Sequence, residues 1–404
     1  MRILFDARGV GVRADGLSNY VRHLLVHLLQ LNETDEYVVL LTPSFWEELK
    51  RGGWGERPRT HPIVTTIPFM GPVQQVRLPW LACRLPRADV YHYLHFDMPL
   101  AVPTRSVVTI FDVNHVQFPT YFDSLRWLKR GYSVVTTALS LAKATHVVTI
   151  SHTTKRQLLS CFSWVDPDHV TVVYCGLNDR FGTAFPASAQ VGAFRRRYGL
   201  GAERFILYVG TSRPHKNLPR LLEAYSRLRR SAAIPHRLVW VGSAHDGGAV
   251  QAMIKTLSLE GAVMPVGYLE AEELPLAYAA AEAFVFCSLS EGFGMPLLEA
   301  MASGVPIVTS NTGTLAEIVG DSAIRVDPYS VDAIAEGLQR VLTSEPMRRD
   351  LSQRGRQRVE AFSWEKSAKH MREIYARVSG IAPSSRPSAT DPRSPTMPLP
   401  LVTS

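Results

Sequence analysis

Twice along the chain, short apolar runs rich in β-branched residues alternate with segments of helical periodicity, a pattern that demands a sheet covered on both faces. The first series lies at residues 3–5, 37–41, 63–67, 106–111, 146–150 and 170–174, and the second at 205–209, 238–241, 262–266, 284–287, 305–309 and 323–326. Runs that are apolar throughout suit strands buried on both sides, as in parallel sheets with helices on each face. The helices are legible between them. Leu17, Tyr20, Val21, Leu24, Leu25, Leu28 and Leu29 recur at three- and four-residue steps, and Leu221, Leu222 and Tyr225 repeat that stripe in the second series. The fold class is therefore α/β, with two Rossmann-like doubly wound domains in series. Open sheets of this kind bind ligands beyond the carboxyl ends of their strands, so a cleft between the domains is the expected active site.

The pattern sets the boundaries. Residues 1–181 form the first domain, and the polar, Gly- and Pro-containing stretch 182–203 reads as a linker. Residues 204–362 form the second domain, followed by a terminal helix at 363–380. From 381 to 404 prolines recur among Ser, Thr and Arg, and a segment so poor in apolar surface is expected to stay disordered. The 404-residue length suits two or three domains of about 150 residues each.

Charge narrows the partners without naming one. Lys and Arg total 44 against 36 Asp and Glu, a formal +8, which favours anionic ligands. The charge is dispersed and no recognition module is present, so nucleic acid is not expected. The four cysteines, Cys83, Cys161, Cys175 and Cys287, form no CxxC pair, which indicates neither a disulfide framework nor a zinc site and fits a reducing compartment. An aspartate at position 6 interrupts any signal-like start, and no run of about 18 apolar residues follows, so a cytoplasmic protein is expected. Peripheral contact with an inner membrane face stays open, because basic and aromatic residues mingle at 118–132 and at 69–84.

The most informative segment runs from Phe284 through Glu291, Gly292, Phe293, Gly294, Met295, Pro296, Leu297, Leu298 and Glu299 to Pro306. A strand enters a loop with two glycines, Pro296 stands at the start of a helix, and Gly304 and Pro306 end it. Such glycines let backbone amides approach a ligand, and the helix adds the positive end of its dipole, which suits a phosphate or a sugar hydroxyl. Carboxylates at 291 and 299 would accept hydrogen bonds from paired hydroxyls, as on a sugar ring or a ribose.

The spacing Glu291-x7-Glu299 in this setting resembles the signature of the family-4 retaining glycosyltransferases, which have the two-domain GT-B fold with domains facing across a cleft and a C-terminal helix crossing back. The resemblance implies that Glu291 contacts the donor sugar and Glu299 the nucleotide ribose, while amides of Gly292, Phe293, Gly294, Met295, Leu297 and Leu298 meet sugar and phosphate. The stretch Gly210-Thr-Ser-Arg213-Pro-His-Lys216-Asn217 resembles the family turn that holds the diphosphate through its basic residues, here Lys216 and Arg213. Tyr268 and Leu269 match a stretch whose backbone meets the base, and Gly16 matches the glycine of the first loop. Where many relatives read T-I-H-D, this chain has Thr109-Ile-Phe111-Asp112, so the histidine that bonds the transferred sugar is missing. Asp112 and His115 are the candidates left near it, with His92 and His95 on the preceding strand segment as further imidazoles.

The implied activity is transfer of a hexose from GDP-mannose or a UDP-hexose to a hydroxyl of a carbohydrate or lipid-linked acceptor, in polysaccharide or glycolipid assembly. No cofactor is implied beyond the donor, and no D-x-D motif lies at a strand end, so no metal is expected. Two alternatives stand beside it: a nucleotide-sugar 2-epimerase on the same fold, and a sugar-nucleotide binder without turnover.

Overall fold

The computed structural model describes residues 1–11, 16–31, 34–54, 57–102, 104–117, 126–181, 186–232, 234–244 and 248–381. The chain forms two compact units, one of residues 1–176 together with the chain from Trp364 on, the other of Leu177–Ser363.

The first unit opens with β1 (Arg2–Asp6), α1 (Gly16–Gln30), β2 (Glu36–Leu41), α2 (Pro43–Arg51) and β3 (Thr60–Val64). It continues through α3 (Pro72–Ala82), β4 (Val90–Tyr93), β5 (Ser106–Ile110) and α4 (Asn114–Gln117). It then adds α5 (Arg126–Lys143), β6 (His146–Thr149), α6 (His152–Cys161) and β7 (Val170–Val172). The strands make a seven-stranded sheet in the order β3-β2-β1-β4-β5-β6-β7, with parallel pairing throughout. Strand residues such as Ile3, Phe5, Val90, Val107 and Val108 have no exposed surface, as continuous apolar runs require.

The second unit begins with α7 (Ser188–Arg197), β8 (Phe205–Val209), α8 (Leu218–Ser231), β9 (Arg237–Val241) and α9 (Ala249–Thr256). There follow β10 (Val263–Gly267), α10 (Leu274–Ala280), β11 (Ala283–Phe286), α11 (Met295–Ala302) and β12 (Ile307–Ser310). It closes with α12 (Gly313–Val319), β13 (Ile324–Val326), α13 (Val331–Thr343) and α14 (Glu345–Val359). Its six parallel strands are ordered β10-β9-β8-β11-β12-β13. Within the stretch expected to be a linker, residues 182–185 lie outside the described residues, and Ser188–Arg197 form α7, which belongs to the second unit. Phe194 anchors that helix, with only 3% of its surface exposed; a single buried ring in a polar, arginine-rich sequence is a weak periodic signal. Residues 382–404 of the expected tail also lie outside the described residues.

The last helix, α15 (Trp364–Ser379), packs in the first unit, against α1, β4 and β5. Trp364 stacks on His23 and meets Tyr20 edge-on, Tyr375 Oη lies 2.6 Å from His92 Nδ1, and Arg372 reaches the buried Asp35 at 2.9 Å. Gly176 is needed here, because a Cβ on it would sit 2.2 Å from the Trp364 backbone nitrogen. Beneath the carboxyl end of β1 lies a fully buried ion pair: Arg8 Nη2 to Asp6 Oδ2 at 2.6 Å and Nε to Oδ1 at 2.8 Å. Tyr91 donates to the same carboxylate, and Arg8 also donates to the carbonyls of Ile67 and Pro68, so the charges are saturated.

Candidate active site

In the second unit the strand order reverses between β8 and β11. Such a switch point is where loops diverge at the carboxyl ends of a parallel sheet and leave room for a ligand. Both motifs singled out in the sequence leave the sheet there, residues 210–217 after β8 and 287–294 after β11.

The two loops are bonded to each other. Leu289 N donates to the His215 carbonyl at 2.8 Å. Asn217, held at a positive φ of 61°, donates from Nδ2 to the carbonyls of Cys287 at 3.0 Å and Pro328 at 2.7 Å. The result places Lys216 Nζ at 2.7 and 2.9 Å from the two carboxylate oxygens of Glu291, and over the Phe286 ring at 5.2 Å. Both side chains of this pair keep some exposure, 19% for Lys216 and 12% for Glu291. Arg213, at the start of the same turn, is exposed, and Gly210 binds back to β9 through its N–H to Val241. His215 is half-buried, and desolvation lowers its pKa against the opposing pull of Glu291.

Glycine is required at 294. Its φ is 95°, and a Cβ there would meet Leu315 Cδ2 at 2.7 Å. Directly after it α11 begins, with Pro296 in its first turn. Phe293 is buried edge-on against Phe362, and Leu297 and Leu298 point into the core, so what these residues can offer a ligand is backbone. Met295 and Gly292 remain partly exposed at the loop. Glu299 accepts a 2.9 Å hydrogen bond from Tyr278 Oη, and burial nonetheless pushes its carboxyl up to about 7. Beyond β10, Tyr268 is 64% exposed while Leu269 is buried.

The candidates of the first unit divide differently. Gly16 opens α1 on an exposed face with open space around it. Asp112, just past β5, accepts from the Asn114 amide at 2.9 Å. His115 requires a correction: it is only 2% exposed, its ring stacks on Phe96 at 4.1 Å, and its Nε2 meets Thr137 Oγ1 at 3.0 Å. Desolvation lowers its pKa to about 4, with a contribution from nearby His95, so it is a neutral core residue rather than a sugar ligand. His92 is likewise locked between Tyr375 and Thr109. Phe111, at the position where the family resemblance implies histidine, meets Tyr20 edge-on and thereby joins the aromatic cluster under α15.

Two features escaped sequence reasoning. The Lys216–Glu291 bond joins residues far apart in the chain, and only the β8–β11 adjacency brings them together. The Tyr278 partner of Glu299 comes from α10, whose short apolar sequence carries no sign of it.

Known proteins agree with this architecture. Residues 192–358 match the model "Glycosyl transferases group 1", and residues 14–181 match "Glycosyltransferase Family 4". O-antigen chain mannosyltransferase B of Escherichia coli is 28% identical over 90% of this chain and 97% of its own length. The MMP alpha-(1->4)-mannosyltransferase of Mycolicibacterium hassiacum is 32% identical over 62% of this chain and 59% of its own. Sucrose-phosphate synthase of Thermosynechococcus elongatus superposes with a TM-score of 0.71 at 21% identity, covering 94% of this chain and 99% of that one. HepE of Anabaena, solved with UDP and glucose, gives 0.72 at 18% identity over 93% of this chain and all of that one. Both family models are glycosyltransferase models, and neither lends support to the epimerase alternative. With two parallel α/β sheets, each carrying a switch point, and with these matches along both halves, the chain belongs to the group 1, family-4 glycosyltransferases of GT-B fold.

Proposed function

We propose that the chain transfers mannose, with retention and without a metal ion, from a nucleotide diphosphate sugar to a carbohydrate or lipid-linked acceptor in polysaccharide assembly. The observation that carries this reading is the Lys216–Glu291 pair at the switch point, beside the amides that open α11. Lys216 and Arg213 supply the positive charge that a departing nucleoside diphosphate needs, and preorganised donors of this kind stabilise developing charge without reorganisation. Glu291 pairs with Lys216; on donor binding the ammonium turns to phosphate and the carboxylate to sugar hydroxyls. Glu299 takes the ribose. The choice of mannose rests on the O-antigen mannosyltransferase likeness over nearly the whole chain.

The acceptor hydroxyl attacks from the face that the leaving group departs, forming the new C1–O bond as the C1–phosphate bond breaks; the electron pair of that bond passes to the diphosphate, whose departing oxygen takes the hydroxyl proton. Transfer measured with GDP-mannose in EDTA tests the proposal. Lys216→Ala and Glu291→Ala should each lose about 100-fold or more in kcat with melting temperature retained. Unchanged rates in both would remove the site assignment.

The same reading includes a seat on an anionic phospholipid surface. On the first unit α3 exposes Val73, Val76 and Trp80, and α5 exposes Trp127, Leu128, Val135 and Leu139. Arg84 stacks on Trp80, and Arg77 lies exposed on the same helix, so basic groups border the apolar ones. No helix among the described residues is long and apolar enough to cross a membrane. Co-sedimentation with phosphatidylglycerol vesicles should fall in Trp80→Ala/Trp127→Ala, whereas neutral vesicles should retain little of either protein.

A further inference from the structure

We infer that His95, oriented by Asp97, holds the acceptor hydroxyl on the first unit by accepting its hydrogen bond at Nε2. This rests on the transferase reading and names the side chain that serves its second substrate.

In the seven-stranded sheet the order reverses between β1 and β4, and His95 and Asp97 lie just past the carboxyl end of β4. That is the ligand position of an open parallel sheet. Asp97 is fully buried, yet its carboxylate is surrounded by donors: the Gly71 amide at 3.0 Å, Gln74 Nε2 at 3.1 Å, Tyr93 Oη at 2.9 Å and Tyr132 Oη at 3.3 Å. His95 Nδ1 completes the shell at 3.0 Å from Oδ1. A carboxylate so held only accepts, so Nδ1 must carry the proton of that bond. Nε2 is then the ring nitrogen left to accept from a ligand hydroxyl.

Exposure separates this histidine from its neighbours. The His95 side chain is 17% exposed where Asp97 is 1%, and among the described residues its Nε2 meets no hydrogen-bonding partner. His92 and His115 have their ring nitrogens engaged inside the unit. Two half-buried rings flank His95, Phe69 at 5.7 Å and Phe96 at 4.2 Å. Apolar faces around a few convergent polar atoms are what a sugar-sized ligand requires.

The support is rigid as well. Gln74, a donor to Asp97, receives a bond from Arg8 Nη2 at 3.2 Å, so the dyad is braced through α3 to the buried Asp6–Arg8 pair of β1. A group that must orient a hydroxyl to within a fraction of an ångström needs such backing.

The experiment uses the full chain with GDP-mannose as donor and octyl α-mannoside as acceptor, with hydrolysis of GDP-mannose followed separately in the absence of acceptor. His95→Phe should lower kcat/KM for octyl α-mannoside about 100-fold, leaving donor hydrolysis, donor KM and melting temperature as in the wild type. His95→Gln, whose Oε1 can accept the same bond, should recover to within about tenfold of wild type. Wild-type transfer by His95→Phe, or parallel loss of transfer and hydrolysis, would overturn the role. A wild-type protein that neither hydrolyses nor transfers from GDP-mannose or UDP-glucose would instead overturn the transferase reading itself.

Discussion

The two sheets share one topology and spend their switch points on opposite things. Where β8 and β11 diverge, a cation and a carboxylate face each other with part of their surface in water, on loops tied together by one main-chain bond and the Asn217 side-chain amide. At the divergence of β1 and β4 the cation and carboxylate are Arg8 and Asp6, entirely buried and saturated, and His95, with 17% of its side chain exposed, lies just past the end of β4. The same fold position thus holds a charge pair partly reached by water in one unit and a fully buried one in the other. Burial makes the difference, since a buried ion pair with one partner removed leaves an uncompensated charge, whereas a wetted pair can exchange partners cheaply.

That contrast can be broken by measuring stability rather than activity. Arg8→Met should cost about 3 to 5 kcal/mol of unfolding free energy, because Asp6 and the carbonyls of Ile67 and Pro68 lose their donor. A loss below about 1 kcal/mol would show that the pair is not a foundation. Glu299→Gln sharpens the second unit. The folded carboxyl titrates near 7, above its ordinary value, so wild-type stability should fall as pH rises from about 4.5 through 7. The glutamine variant should therefore be more stable by about 1 to 3 kcal/mol at pH 8 and indistinguishable at pH 4, which chemical denaturation at the two pH values checks. Smallest of the three is Lys216→Met, expected to cost less stability than Arg8→Met because part of its pair reaches water, while abolishing most transfer.

The legible part of the second unit was its local chemistry. Glycines at 292 and 294, Pro296 and the stop at Gly304 and Pro306 define strand, loop and helix without reference to any other segment. Lys216 was visible for the same reason, as a base placed directly after a strand. What could not be read is contact between distant segments. The resemblance puts Lys216 and Glu291 on one donor, but nothing in the sequence gives their direct bond, nor says that Gln74 and Tyr132 converge on Asp97 from two different helices. His115 illustrates the converse failure: polarity and position suggested a ligand, but the ring of Phe96 and the hydroxyl of Thr137 claim it for the interior. The arginine-rich α7 reads as a connector in sequence because one buried phenylalanine leaves almost no stripe.

The placement of α15 carries a consequence for how the chain is made. Leu177–Ser363 is contiguous and could complete its sheet as soon as it has been synthesised, whereas the first unit lacks Trp364, Arg372 and Tyr375 until the final stretch emerges. Until then Asp35 has the Met1 ammonium but not Arg372, His92 has Thr109 but not Tyr375, and α1 lacks the helix that packs on it. On a ribosome, the half begun first is therefore the half finished last, and a chain cut between residues 363 and 364 should keep an intact second unit beside a first one that never closes.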